Sequence, residues 1–78
     1  MISGAQIRAA RGLLGWSQEG LSKAAGISKR AVVRLETGAT DSRRSTIVAV
    51  ETALERAGIE FLAAEGDKGP GVRFATTR

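Results

Sequence analysis

The sequence predicts a mostly α-helical fold, with four helices followed by a short β-hairpin. Apolar residues recur every three or four positions along four stretches, and glycine or serine residues separate these stretches, which predicts the helices. After residue 58 the apolar residues recur at every second position, around a glycine-rich turn that contains the only proline, which predicts the hairpin. We therefore expect a helical domain over residues 1–58 and a hairpin extension over residues 59–78.

The first helix is predicted from about residue 5 to Leu14, after a loose lead-in over residues 1–4. Its apolar residues include Ile7 and Leu14, which fall on one helical face, and Gly15 ends it. Trp16 follows, just before the next helix, where an apolar side chain commonly packs across the first turn. We interpret it as a core residue rather than one that stacks on a base.

Residues 17–38 predict two short helices joined by a tight turn. Ser17 and Ser28 are suitable N-caps for the two helices, and Gly26 is suited to end the first of them. The second helix runs from Lys29 to Glu36 and has an apolar inner face. Its outer face carries three cations and one apolar side chain: Lys29, Arg30, Arg34 and Val33. This is the arrangement of a helix-turn-helix.

The fourth helix is predicted from residue 43 or 45 to Ala57, after a connecting loop over residues 39–42. Two strands of about five residues each follow, because short strands fit the alternating pattern on either side of the turn. A hairpin alone is marginal in water, so it must pack on the helices or pair with a second copy of the chain. The second option makes a homodimer through four apolar side chains: Ile59, Phe61, Val72 and Phe74.

Positive charge is concentrated in the N-terminal half of the chain. The net charge is +4, and residues 1–44 hold eight basic and three acidic side chains, whereas residues 45–78 hold four basic and five acidic ones. A basic half built around a helix-turn-helix suggests a polyanionic partner for that half.

Several classes of function are excluded by the residues that the chain lacks. No cysteine or histidine occurs, which argues against the usual metal and haem sites and against cysteine or histidine catalysis, so we expect no cofactor and no metal. The turn around Lys68 lacks the sequence of a phosphate-binding loop. We therefore expect no enzyme activity and no small-molecule substrate. No apolar run is long enough to span a membrane, and we expect a cytoplasmic protein.

The chain resembles the Cro/repressor-type helix-turn-helix proteins, the xenobiotic-response-element (XRE) family of prokaryotic and phage regulators. The resemblance covers roughly residues 5–58. It rests on residues with the family's spacing: Arg11, Ser17, Gln18, Leu21, Gly26, Ile27, Ser28, Val32 and the run from Arg34 to Gly38. It implies a four-helix Cro/repressor-like domain that binds double-stranded DNA as a dimer and regulates transcription, as a repressor.

The resemblance also implies roles for individual residues. Arg11 and Glu36 would form an interior ion pair between the first and third helices. The positions that reach base edges are Lys29, Arg30, Arg34 and Val33, and those that contact phosphates are Gln18, Ser28, Arg43 and Arg44. Because arginine pairs with guanine through two hydrogen bonds, a guanine-containing half-site is expected. Small polar residues are commoner at the family's reading positions, so some of these cations would serve phosphates instead of bases.

The segment from Gly58 to Phe74 resembles tails of short bacterial members of the same family. Two uses fit it. It would either pair two protomers, so that their reading helices lie one DNA turn apart, or dock another protein, as in antitoxin-type regulators. A protein-binding adaptor that keeps the helix-turn-helix is therefore the alternative function.

Overall fold

The computed structural model describes residues 1–38 and 43–77. The helices are α1 (Gly4–Leu14), α2 (Gln18–Ala25), α3 (Lys29–Glu36) and α4 (Arg44–Arg56), and the strands are β1 (Ile59–Leu62) and β2 (Gly71–Phe74). The predicted fold class, four helices and a short C-terminal hairpin, is confirmed. The predicted connecting loop over residues 39–42 lies outside the described residues.

Serine side chains cap the N-termini of the first three helices. Ser17 Oγ accepts a hydrogen bond from the Gly20 amide at 2.9 Å, and Ser28 Oγ accepts one from the Ala31 amide at 3.1 Å. Ser3 caps α1 in the same way and exchanges hydrogen bonds with Gln6, which forms a capping box. The prediction of a loose lead-in over residues 1–4 is therefore wrong for its last two residues, because Ser3 caps α1 and Gly4 is the first residue of that helix.

The turn between α2 and α3 depends on one glycine. Gly26 has a φ of 70°, in the left-handed region that residues with a Cβ rarely adopt. The next amide, of Ile27, donates to the Ser22 carbonyl at 3.0 Å and closes the turn. This sharp change of direction lets α3 pack on α1 and α2 while its other face stays in solvent.

One hydrophobic core joins the four helices and the first strand. Full burial of an aliphatic side chain contributes about 1.5–3 kcal/mol, so this shared core holds the elements in one arrangement. Its buried members are Ile7, Ala10, Leu21, Val32, Leu35, Val50, Ala53, Leu54 and Ile59.

The hairpin packs on the helices of its own chain. β1 and β2 are antiparallel, with Ile59 opposite Phe74 and Phe61 opposite Val72. Opposite residues project to the same side, and these four side chains pack on or within the core. Ile59 is 2% exposed and therefore has no surface to offer a second copy. Of the four residues expected at a dimer interface, the other three are half-buried.

Gln6 connects α1 to the end of the hairpin next to its turn. Its Nε2 donates to the carbonyl oxygens of Leu62 and Gly71, at 3.3 Å and 3.0 Å, while its Oε1 accepts from the Ser3 amide at 2.8 Å. Leu62 and Gly71 are the last pair of the strand register. One buried amide therefore caps a helix and fastens the hairpin to it.

Gly4 allows α1 to lie against the end of α3. A Cβ at this position would stand 2.5 Å from the Glu36 carbonyl oxygen and 2.6 Å from that of Leu35. Both neighbours are backbone atoms of a packed helix, so they cannot move aside as a flexible side chain would. The close approach of the two helices therefore requires glycine.

We expect Gly4→Ala to lower the free energy of unfolding by about 1–3 kcal/mol, because the added methyl group forces α1 away from α3. Gly12→Ala is the matched control, since Gly12 lies in the same helix and a Cβ there meets nothing within 4 Å. The control should be neutral or stabilising by up to about 1 kcal/mol, the difference in helix propensity. Urea denaturation of both variants measures this, and equal effects would contradict the contact.

Candidate nucleic-acid interface

The solvent side of α3 carries the side chains that the sequence singles out. The opposite side of the helix is buried through Val32, Leu35 and Glu36. Since an α-helix turns once every 3.6 residues, the remaining positions face outward. Lys29, Arg30 and Val33 are exposed and Arg34 is half-buried. These four residues therefore lie together on the outer part of one helix.

This outer face is positively charged. Lys29, Arg30 and Arg34 are its cations, and the one acidic residue of α3, Glu36, is buried on the other side. Thr37, which follows the helix, donates its hydroxyl proton to the Arg34 carbonyl at 3.1 Å. An exposed helix face of this charge can enter a groove lined by phosphates.

The helix starts are suited to bind anions. Ser28 is exposed at the N-cap of α3, and its oxygen accepts from the Ala31 amide, which leaves its hydroxyl proton free to donate elsewhere. The first amides of a helix have no partner within the helix and point out of its N-terminus. Arg43 is the N-cap residue of α4 and Arg44 its first residue, and both side chains are exposed.

A buried carboxylate joins the three helices behind this surface. Glu36 accepts from Arg11 through both oxygens, at 2.7 Å from Nε and 3.0 Å from Nη2. Gln18 Nε2 donates to the same carboxylate at 3.1 Å, and Arg11 Nη1 also donates to the Trp16 carbonyl at 3.0 Å. The carboxylate thus links α1, the start of α2 and the end of α3. The family resemblance predicts that Gln18 contacts a DNA phosphate, whereas in the structure its side chain donates a hydrogen bond to Glu36.

Arg8 also binds the end of α3, a role that the sequence pattern does not reveal. Its Nη1 donates to the backbone carbonyl of Glu36, at the C-terminal end of α3. A cation there satisfies a carbonyl left without a helical partner and lies at the negative end of the helix dipole. The one available signal is its spacing, because Arg8 precedes Arg11 by three residues and so lies on the same side of α1.

The pKa of Glu36 reflects these partners. Burial alone would raise its pKa, but hydrogen bonds from Arg11 and Gln18 and the positive charges of Arg11 and Arg8 outweigh burial and hold the pKa below its ordinary value of 4.5. The folded chain therefore favours the charged carboxylate more than the unfolded chain does. This stabilisation is present above the unfolded pKa and is lost as the pH falls through the folded pKa.

One comparison with known proteins agrees with this geometry. A family model described as helix-turn-helix matches residues 7–61, from the first turns of α1 into β1. No curated protein matches the chain.

Within residues 1–38 and 43–77, no acidic cluster suited to hold a metal ion occurs. Over the same residues, each helix lacks the length and apolar character needed to cross a lipid bilayer.

We expect the stability of the chain to fall as the pH drops below about 4.5, in a way that depends on Glu36. Glu36→Gln keeps the shape but removes the charge, so it should lower the free energy of unfolding at pH 7 by about 1–3 kcal/mol. Its stability should also fall less steeply with acid than that of the original chain. The exposed Glu55→Gln is the control, and urea denaturation at several pH values supplies the slopes. Equal slopes for the original chain and Glu36→Gln would contradict a stabilising ion pair.

Proposed function

The chain belongs to the Cro/repressor-type helix-turn-helix (XRE) family of DNA-binding regulators, and we propose that it is a repressor of transcription that acts as a homodimer. The family is one of regulators and not of enzymes. In this proposal α3 lies in the major groove of double-stranded DNA and reads a specific sequence. The protein acts in the cytoplasm, where prokaryotic DNA lies.

The outer face of α3 is the observation that carries this proposal. An α-helix with its side chains is about 10–12 Å across, and the major groove of B-DNA is about 12 Å wide. The exposed cations Lys29 and Arg30 are at the N-terminal end of α3, the end that meets base edges first in this kind of domain. Arg34 follows one turn after Arg30, with its guanidinium suited to a guanine or a phosphate.

Phosphate contacts would fix the position of the domain on the duplex. Ser28 lies at the N-cap of α3, where its hydroxyl and backbone donors meet an anion. Gln18 lies at the start of α2, where one amide proton is donated to Glu36 and the second would be donated to a phosphate. Arg43 and Arg44 would extend these contacts along the backbone from the start of α4. Such contacts add affinity and carry no sequence information of their own.

In the proposed homodimer, the two chains pair through their hairpins. The apolar face of the hairpin already packs on its own helices, so a second copy would pair along the backbone edge of a strand. Phe61, Val72 and Phe74 keep part of their surface and would contribute to that contact. The reading helices of the two protomers would then lie about 34 Å apart, one turn of DNA.

A second candidate is an adaptor or antitoxin-type regulator that docks another protein on the hairpin. The observation that favours it is an open groove beside the hairpin, lined in part by Met1, Ile2, Phe61 and Pro70. Purification in a stable complex with a second polypeptide supports this candidate. DNA binding that weakens steeply with salt supports the repressor, because each neutralised phosphate adds about 0.9 to the log–log slope.

We expect Arg30→Ala to lose most of the preference for a duplex selected from a random pool. Loss of a bidentate contact to guanine costs about 1–3 kcal/mol, or roughly 5- to 150-fold in affinity. Binding to unrelated duplexes should change much less. Arg56→Ala, at an exposed cation on α4, is the control and should keep the preference. Fluorescence anisotropy with both duplexes measures the ratio, and an unchanged ratio in Arg30→Ala would contradict the role of this residue.

Arg11→Ala should act on stability rather than on base preference, because it leaves the buried Glu36 carboxylate without its cation. Removal of one partner of a buried ion pair costs about 3–5 kcal/mol. The melting temperature should fall sharply, and the molecules that remain folded at low temperature should keep the original ranking of duplexes. Replacement of both residues, by methionine and leucine, should restore part of the melting temperature. A changed ranking without a loss of stability would contradict this role.

A further inference from the structure

Val33 is an apolar side chain among the cations of α3. It is 37% exposed, it follows Lys29 and Arg30 by about one helical turn, and it precedes Arg34. The buried face of the helix is already formed by other side chains, so Val33 adds little to the core. A β-branched residue is also a less favourable choice in an exposed helix than alanine or a long polar residue. Its place is therefore better explained by what lies opposite it in a complex.

Single exposed valines are common on protein surfaces and need no explanation by themselves. The chain offers a second exposed valine for comparison with Val33, because Val48 on α4 is 50% exposed. What distinguishes Val33 is its position between cations on the face proposed to enter the major groove. Within that groove the base edges are polar, apart from the 5-methyl group of thymine.

We infer that Val33 reads the 5-methyl group of a thymine one or two base pairs from the guanine contacted by Arg30. This inference rests on the proposed DNA-reading role of α3. The two residues lie about 4.5 Å apart along the helix axis, and successive base pairs of B-DNA about 3.4 Å apart. Val33 therefore faces a base one or two pairs from the one that Arg30 contacts.

The side chain is suited to this contact in shape as well as polarity. Valine has one strongly preferred χ1 rotamer in a helix, so its two methyl groups occupy a defined position at little cost in entropy. It has no polar atom, so a base that presents a hydrogen-bonding group there would lose water without a replacement partner. The same position therefore favours thymine and disfavours the other bases.

The test uses a synthetic duplex of the sequence selected from a random pool. Deoxyuridine in place of the thymine removes the methyl group and keeps the base pair and its O4 acceptor. The original chain should bind the deoxyuridine duplex about fourfold more weakly, the effect of one buried methyl group. Val33→Ala should bind the two duplexes equally. Val48→Ala should keep the fourfold difference, and circular dichroism checks that each variant is folded.

The outcomes separate this inference from the function on which it rests. If no duplex is enriched and no sequence preference is measured, the proposed function fails. If a preferred duplex is found but deoxyuridine has no effect, or affects the original chain and Val33→Ala equally, the methyl contact is wrong while DNA reading stands. Val33→Thr replaces one methyl group by a hydroxyl on the same branched frame, and it decides the matter if Val33→Ala does not fold. A methyl effect reduced in the threonine variant supports the contact, and an undiminished one overturns it.

Discussion

The buried carboxylate of Glu36 is the point on which the arrangement of the helices depends. Its side chain is 3% exposed, and it accepts hydrogen bonds from Arg11 and Gln18. Arg8 binds the backbone carbonyl of the same residue. A buried carboxylate with a full set of partners has one low-energy position, because any other would leave a charge without a partner in a poorly hydrated site. The end of α3 is therefore fixed relative to α1 and α2, and its outer side chains project in a fixed direction.

Helix α1 is the frame that carries this constraint to the rest of the chain. Gln6 fastens the hairpin, Gly4 and Arg8 hold the end of α3, and Arg11 pairs with Glu36, all within its first eight residues. If the hairpin joins two protomers, the distance between their reading helices is therefore set through α1. Few rotatable bonds lie on that path, since Gly4 makes its contact through backbone and the side chains of Gln6 and Arg11 are each held by three hydrogen bonds. A rigid spacing suits an operator with half-sites at a fixed separation.

The sequence predicted best what depends on neighbouring residues. Bounds of α2 and α3 follow from Ser17, Gly26 and Ser28, and the structure places those bounds where these signals predict them. The contacts of Gln6 join residues 56 and 65 positions apart, and no local pattern indicates them. For the same reason an alternating stretch predicts a hairpin without indicating whether its apolar face packs on the helices or on a second copy, and only the fold shows that Ile59 is buried in its own chain. The structure shows where the proposed DNA-reading residues lie on α3. Which bases and phosphates they contact stays a prediction.

Under the proposed function, the division of α3 into two faces would let such a small domain combine a stable fold with a changeable DNA specificity. Val32, Leu35 and Glu36 hold the helix, so substitutions there act on stability first. Lys29, Arg30 and Val33 face solvent. Substitutions at exposed positions usually change stability by less than about 0.5 kcal/mol, whereas a lost base contact costs about 1–3 kcal/mol of discrimination. If the outer face reads DNA as proposed, it can therefore be altered residue by residue while the inner face keeps α3 in the same orientation.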